Sequence, residues 1–332
     1  MNHVQSKNVI VIGAGLSGIA AATDLHAAGH AVTILEKSRG ISGRAATRRW
    51  EGAVLDHGAP FFTARGERFT ALIQTLEESG VVRVWTRGFH VWRGGVLTAP
   101  TDSHPRYIAA EGMNALAKHL RGTTATFALE TGATVTGLER SDEGWTVTLA
   151  TGETRGADAV IVTAPTPQAL NLTRPHLEPA TLAALERVTW QPCWALLAQL
   201  SAHPNVDWRG VKLTHPILEW ASLEHTKRES SPALVLHANP MWSGANLERS
   251  PEEIVALMQA ALLEVFGSNL EITQAIAHRW RYARADTLHL NSTLEQGSLI
   301  FCGDWCDTDG YGTRVENAVQ SGWAAASSLL AW

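Results

Sequence analysis

The chain has 332 residues, 45% of them hydrophobic, and a formal net charge of −5. That is enough length for two packed domains, and it lacks the basic excess that nucleic-acid binding needs. No apolar run reaches the ~18 residues needed to span a bilayer, and the leading MNHVQSK lacks the apolar core of a signal peptide.

Residues 8–38 read NVIVIGAGLSGIAAATDLHAAGHAVTILEKS. Val9 to Ile12 is a short β-branched run, as expected of a buried parallel strand. Gly13, Gly15 and Gly18 follow with G-x-G-x-x-G spacing. The first permits the tight turn, the second lets the backbone approach a pyrophosphate, and the third lets the next helix pack on the strand. That helix is predicted over Leu16 to Ala28, ended by Gly29, with its free N–H groups aimed at the phosphates. A second strand, Ala31 to Leu35, leads to Glu36, whose carboxylate is placed to accept a ribose hydroxyl. An acid there disfavours a 2′-phosphate, so the residues point to NAD or FAD rather than NADP. The predicted contacts of this stretch are Gly13, Ala14, Gly15, Leu16, Ser17, Gly18, Glu36, Lys37 and Ser38.

The continuation, EKSRGISGRAATRRWEGAVLDHGAPFFTAR, decides between the two. An acid, a basic loop and then Ser42, Gly43 and Arg44 resemble the second signature of the glutathione-reductase-like FAD proteins. A second glycine turn with a guanidinium can bind the other side of a pyrophosphate. Ser42 stands where that family usually has glycine, a small residue with little steric penalty. The alternative for Arg44 is a solvated surface side chain. His57, Gly58, Ala59, Pro60 and Phe61 complete the cofactor contacts of this region, and Phe62 is a candidate on the substrate side.

Further along, Val135 in ATVTGLE fits the family's adenine-side strand, and ADAVIVTAPTPQAL supplies the last strand before the chain leaves the FAD domain, with Ala164 and Pro165 at its end. The middle of the chain is rich in tryptophan: Trp85, Trp92, Trp190, Trp194, Trp208, Trp220, Trp242 and Trp280. Runs such as CWALLAQL and VKLTHPILEWASL predict an antiparallel sheet, with most of these rings in its core. In HRWRYAR, strand alternation puts His278, Trp280 and Tyr282 on one face and Arg279 and Arg281 on the other. The first face can hold a flat polar ring, or pack in the core with its histidine satisfied by a carbonyl. His237 is a candidate of the same kind.

Near the end, Leu299 to Phe301 is a predicted strand, followed by Gly303, Asp304 and a helix over RVENAVQSGWAAASSLL. This resembles the closing FAD motif, in which the Asp binds the ribityl or phosphate region and the helix N-terminus faces the flavin O2/N1 edge. Its predicted contacts are Gly303, Asp304, Arg314, Val315, Glu316, Asn317 and Ala318, with Asn317 where many relatives have glycine. The alternative for Asp304 is a helix N-cap or turn residue. GYG at 310–312 lacks the third glycine of a second nucleotide motif. Cys193, Cys302 and Cys306 carry no disulfide framework, with Cys302 read as a strand residue and Cys306 as a loop residue. A reducing, cytoplasmic setting without a metal is the expectation.

Five stretches narrow the resemblance. LDHGAPFFTAR (55–65), GMNALAKHL (112–120), VLHANPMWS (235–243), AHRWRYAR (277–284) and CGDWC (302–306) together resemble the bacterial renalase-like flavoproteins, within the wider flavin amine oxidase group. The resemblance implies noncovalent FAD and an oxidase that passes a hydride from 2- or 6-dihydro isomers of NAD(P) to flavin N5. Dioxygen then reoxidises the flavin to give hydrogen peroxide and NAD(P)+. The amine oxidases of the group usually carry a lysine from the later part of the chain, whereas the last lysine here is Lys227, and the context of a flavin-attaching cysteine is absent. Two rival functions remain open: an amine or other small-molecule oxidase or dehydrogenase of the same fold, and a non-catalytic FAD-binding protein. The predicted fold is α/β, a Rossmann-like FAD-binding domain with an inserted α+β substrate domain built on an antiparallel sheet. The FAD domain is expected over 1–60, 105–165 and 290–332, and the substrate domain over 61–104 and 166–289.

Overall fold

A computed structural model describes residues 6–122, 126–307, 310 and 312–332. Residues 1–5 of the leading MNHVQSK and Tyr311 of GYG therefore lie outside the described residues. The chain divides into two units: residues 1–43, 116–189 and 285–332 form the first, and residues 44–115 and 190–284 the second.

The first unit is built on a six-stranded sheet. Its order is Leu294–Gln296, Leu299–Phe301, Ala159–Val162, Asn8–Ile12, Ala31–Glu36 and Ala128–Thr131. Every pairing is parallel except that of the edge strand Leu294–Gln296. The inner strands are continuously apolar and buried, as a parallel sheet covered on both faces requires. The helix Leu16–Ala27 crosses between the first two strands and ends before Gly29, which takes φ +92°. It packs on the C-terminal helix Val315–Leu330, where Gly322 lies against the Ser17 carbonyl. A three-stranded antiparallel sheet, Val135–Ser141, Gly144–Leu149 and Thr154–Ala157, completes this unit.

The second unit holds a seven-stranded sheet. Its order is Ile272–Ala285, Trp190–Leu200, Ala233–Ala238, Leu218–Leu223, Gly210–Thr214, His90–Arg93 and Val96–Thr98. From Trp190–Leu200 across to Val96–Thr98 the strands pair antiparallel, apart from Gly210–Thr214 on His90–Arg93, which is parallel. Alternation divides Trp190–Leu200 between two cores: Trp194, Leu196, Ala198 and Leu200 face the helix Pro251–Phe266, while Ala195 and Leu197 face the other way. Trp85, Trp194, Trp208 and Trp220 are buried, whereas Trp92, Trp190, Trp242 and Trp280 are only partly so.

The unit boundaries differ from those read off the sequence. Residues 44–60 belong to the second unit, because the hairpin Thr47–Trp50/Ala53–Asp56 packs Ala53 and Leu55 onto Ala195, Leu197, Ala233 and Val235. Residues 105–115 join it because Pro105–Ala109 pairs with Val82–Arg87. Residues 166–189 stay in the first unit: Gln296 bonds the His176 carbonyl at 2.7 Å, and the His176 ring reaches the Leu138 carbonyl at 2.6 Å. Residues 285–289 stay with it as well, Asp286 N–H donating to the Thr189 carbonyl at 2.8 Å. Among the described residues no helix is long and apolar enough to cross a membrane.

A Cβ added to Gly322 would collide with the Ser17 carbonyl oxygen and meet Ala20 Cβ at 3.0 Å. Gly322→Ala is therefore expected to destabilise the fold by about 1–3 kcal/mol through overpacking. Ser327→Ala, at an exposed position of the same helix, should change it little. Thermal melts of the two variants check this, and an unshifted midpoint for Gly322→Ala would refute the close helix contact.

Candidate functional site: a glycine cradle and a neutral histidine wall

In the first unit the strand Asn8–Ile12 runs into Gly13, at φ +109°, whose N–H donates to the Leu35 carbonyl at 2.9 Å. A Cβ here would strike Thr163 Oγ1, and one on Gly18 would strike the Gly13 carbonyl oxygen. Gly15, the N-cap of the helix, has nothing within 4 Å of its Cβ position. The turn is thus closed where it packs and open where a ligand's phosphates would approach. Ala14, Leu16 and Ser17 are buried behind it. Ser42 N–H donates to the Ala14 carbonyl at 2.8 Å, and a Cβ on Gly43 would sit 3.2 Å from Gly15 Cα, so the two glycine turns fold together.

Ser42 corrects the sequence reading. It is buried at φ +97°, where a non-glycine backbone costs on the order of 1–3 kcal/mol. Its departure from glycine is not conformationally neutral.

Glu36 ends its strand almost buried. Oε2 accepts from Ala14 N–H and Oε1 from Ser38 N–H, both at 2.8 Å. A carboxylate has about four lone-pair sites, so two remain for ribose hydroxyls. The Lys37 ammonium donates to Gln168 Oε1 at 3.2 Å. Gly132 N–H bonds the Ser38 carbonyl at 3.0 Å and Ala133 N–H the Glu36 carbonyl at 2.9 Å, which brings the start of the Val135 strand beside this acid. Ala164 follows the strand Ala159–Val162, and Pro165 caps the helix Thr166–Thr173.

At the chain's other end, Gly303 N–H donates to Ser321 Oγ at 2.9 Å, and Asp304 lies in the turn that follows. Cys302 comes directly after its strand, its N–H on the Val162 carbonyl at 3.2 Å, and Cys306 bridges to His289. Burial pushes the Cys302 thiol up to about 12 and raises Cys306 as well, so neither is a thiolate nucleophile at neutral pH. Arg314 is the N-cap of Val315–Leu330 and pairs with the fully buried Glu316 at 3.2 Å; Ala318 N–H closes the first turn on the Arg314 carbonyl.

Asp307 was not singled out from the sequence. It is buried and accepts from Gly310 N–H at 3.1 Å, Gly312 N–H at 2.8 Å and Asn317 Nδ2 at 2.9 Å. The signal was an acid three and five residues ahead of two glycines. Asn317 Oδ1 is buried with no hydrogen-bond partner, an acceptor left open at the start of a helix. The open Gly15 face, the lone pairs of Glu36 and this orphaned acceptor fit a dinucleotide: the Gly13–Gly18 turn for its pyrophosphate, Glu36 for a ribose, and Asn317 for an N–H donor.

The second unit brings together four of the predicted residues. His57 N–H donates to the Ala46 carbonyl at 3.2 Å, and its own carbonyl accepts from Trp280 Nε1 at 2.9 Å and His237 Nε2 at 3.2 Å. The His57 ring lies 4.9 Å from His278 and 5.5 Å from Trp280, which are 4.5 Å apart. Burial lowers all three histidines, His57 and His237 to about 4, and the neighbouring His278 and Arg48 lower His57 further. At neutral pH this wall of rings carries no charge.

The remaining candidates have other contacts. Tyr282 packs edge-on to Trp190 at 6.1 Å. Arg44 stands over Trp190 at 5.0 Å and donates to the Ala283 carbonyl at 3.2 Å, so it is tied into the second unit rather than solvated. Phe62 exchanges backbone hydrogen bonds with Tyr107, stacks on that ring at 5.7 Å and is buried. Gly58 has its Cβ position blocked by the Arg44 carbonyl, and Ala59 N–H donates to the same oxygen at 2.9 Å. The loop then passes Pro60 to Phe61, 4.6 Å from Phe89 and 5.5 Å from Trp220.

Beneath His57 lies a group of buried charges. Asp56 Oδ1 accepts from Thr47 Oγ1 at 2.7 Å and Met113 N–H at 2.9 Å, and Oδ2 pairs with Arg228 at 2.8 Å. Glu224 accepts from Asp56 N–H at 2.9 Å and pairs with Lys227 at 2.7 Å. Burial alone would raise Asp56, but Lys227 and Arg228 hold it below its usual range, whereas burial raises Glu224. Lys227 is fully buried, its ammonium 5.0 Å above the Trp85 ring. Among the described residues no group of three metal-ligating side chains occurs.

A family model, flavin containing amine oxidoreductase, matches residues 91–330, and an NAD(P)-binding Rossmann-like domain matches residues 11–76. The chain belongs to the flavin containing amine oxidoreductase family, and its cofactor is FAD. It is similar to renalase of Mus musculus, with 24% identity over 322 residues, covering 88% of this chain and 92% of that protein. Cyclohexylamine oxidase from Brevibacterium oxydans IH-35A shares the fold with a TM-score of 0.76 at 14% identity over 98% of each chain. Putrescine oxidase bound to putrescine shares it with a TM-score of 0.73 at 16% identity, covering 99% of this chain and 100% of that one.

Glu36→Ala removes an acceptor of the cradle together with two backbone hydrogen bonds, and is expected to weaken FAD binding by about 1.5–3 kcal/mol. Titration of the apoprotein with FAD measures this, and unchanged affinity would remove Glu36 from the site. The histidines set a pH dependence. Their folded pKa values lie below the unfolded value, so the unfolded chain binds more protons between pH 6.5 and about 4. Stability is full above 6.5 and falls as the pH drops towards 4. Urea midpoints across this window should decline for the wild type and less for His57→Asn; parallel curves would contradict a neutral His57.

Proposed function

We propose that this protein oxidises 2- or 6-dihydro isomers of NAD(P) to NAD(P)+, with noncovalent FAD as electron carrier and dioxygen as terminal acceptor, giving hydrogen peroxide. The observation that carries this reading is the neutral wall of His57, His278 and Trp280, with His237 behind it. A dihydronicotinamide loses hydride with the help of its own ring nitrogen. It needs a flat surface at near-attack distance and no acid or base. The wall offers rings and hydrogen bonds only, because Asp56, Glu224 and Lys227 are consumed by one another in the buried group. The burial of Lys227, the last lysine of the chain, in this group supports that reading over an amine-oxidase one. Bound FAD supplies the two-electron acceptor. The chain's own residues hold the ring, exclude water and fix its face. The match to a renalase over most of both chains supports the same reading.

Anaerobic mixing tests it. A 2- or 6-dihydro isomer should bleach the flavin rapidly, with NADH and simple monoamines slower by about a hundredfold or more, since a misplacement of about 1 Å costs that much. His278→Ala should slow bleaching more than it weakens FAD binding. Equal rates with NADH, or fast reduction by a monoamine, would move the assignment to the amine oxidases. A flavin that no donor reduces would make the protein a non-catalytic FAD binder. Acid denaturation should release FAD into the supernatant, and flavin retained on the precipitate would overturn noncovalent binding.

A further inference from the structure

One cation beside the histidine wall is unaccounted for. Arg48 lies on the hairpin Thr47–Trp50/Ala53–Asp56, directly opposite Leu55. Ala46 and His57 continue the same ladder through the His57 N–H bond to the Ala46 carbonyl. Strand alternation then places Arg48, Leu55 and His57 on one face, with His57 at the diagonal position that long side chains reach. This face packs Leu55 and Ala53 against the seven-stranded sheet, and Trp280 packs on the same core. Arg49 is on the opposite face, donating to the Glu111 carbonyl at 2.8 Å.

Arg48 itself is exposed and, among the described residues, makes no hydrogen bond or ion pair. The other charges near these rings are matched. Asp56 and Lys227 belong to the neutral buried group, and Arg284 pairs with Glu219 at 3.0 Å. The charge of Arg48 nonetheless reaches the wall, adding to burial in holding His57 and His278 neutral. The wall thus combines an uncharged flat surface with one unmatched guanidinium at its edge. An ammonium substrate would be repelled there, and a phosphate would gain charge-assisted, bidentate hydrogen bonds.

We propose that Arg48 is the anion-recognition residue of the substrate site, taking a phosphate group of the dihydronicotinamide nucleotide while its ring lies on His57, His278 and Trp280. This rests on the function proposed above and adds the part of the substrate that is recognised. The ring is recognised by the wall, and the nucleotide tail by Arg48.

The test compares two substrates of one ring chemistry on the FAD-loaded protein: 6-dihydro-NAD, and the 6-dihydronicotinamide riboside, which has no phosphate. Arg48→Ala should raise KM for the dinucleotide about tenfold or more and leave kcat and the riboside kinetics unchanged. Arg48→Glu should raise it further, and Arg49→Ala should do nothing. The dinucleotide KM should rise with salt in the wild type and lose that dependence in Arg48→Ala. Equal effects on both substrates, or none on either, would overturn the proposal. If neither compound reduces the wild-type flavin, the dihydronicotinamide reading itself fails. The anion site is then judged by calorimetry with ADP-ribose alone: about tenfold weaker binding to Arg48→Ala supports it, and equal binding overturns it.

Discussion

Four charges buried together hold the second unit in order: Asp56, Glu224, Lys227 and Arg228. Each is at most 6% exposed. Taking one such ion out of water costs several kcal/mol, and removing a single partner from a buried pair costs about 3–5 kcal/mol. The group survives because it is neutral as a whole and its oxygens are hydrogen-bonded. It fastens three separate pieces of chain: the hairpin at Thr47 and Asp56, the backbone at Met113, and the turn that carries Glu224 to Arg228. Arg228 also bonds the Ala109 carbonyl at 3.1 Å.

His57 is the residue after Asp56, so its place follows from that anchor. Its carbonyl is then fixed by Trp280 and His237 from two other strands. The chain uses its buried charges as a foundation and keeps the surface above them neutral. That surface presents polarisable ring faces and histidines whose burial lowers their basicity.

The first unit works on a different principle, the exclusion of side chains. Gly13, Gly18 and Gly322 are positions where a methyl group has no room: the Thr163 hydroxyl occupies the space at Gly13, and backbone carbonyls occupy it at Gly18 and Gly322. Gly15 is the contrary case, open on its free side. Ser42 shows that the pattern is not absolute: it holds a positive φ beside Ala14, and the surrounding packing imposes that strain.

The sequence by itself determined the strand–turn–helix–strand run, the terminal Glu36, the closing helix at Val315 and the alternating face of His278 and Trp280. All of these rest on period, glycine spacing and near-neighbour hydrogen bonds, which a short window of residues contains. Only the tertiary structure decided that His57 joins His278 and Trp280, more than two hundred positions away, since ring contacts leave no local period. The same holds for the buried charges, since Glu224 lies 168 positions from its partner Asp56. The boundary at residue 44 was likewise hidden, because the FAD-signature resemblance runs on past it while the hairpin's apolar face, Ala53 and Leu55, is drawn to the larger sheet. Phe62, a candidate on the substrate side, is buried against Tyr107, and Asp307, which the sequence does not single out, accepts from Asn317. In each case burial made the decision, and burial belongs to the assembled chain: which apolar surfaces meet, and which charges must be neutralised where they do, is fixed only when distant segments pack.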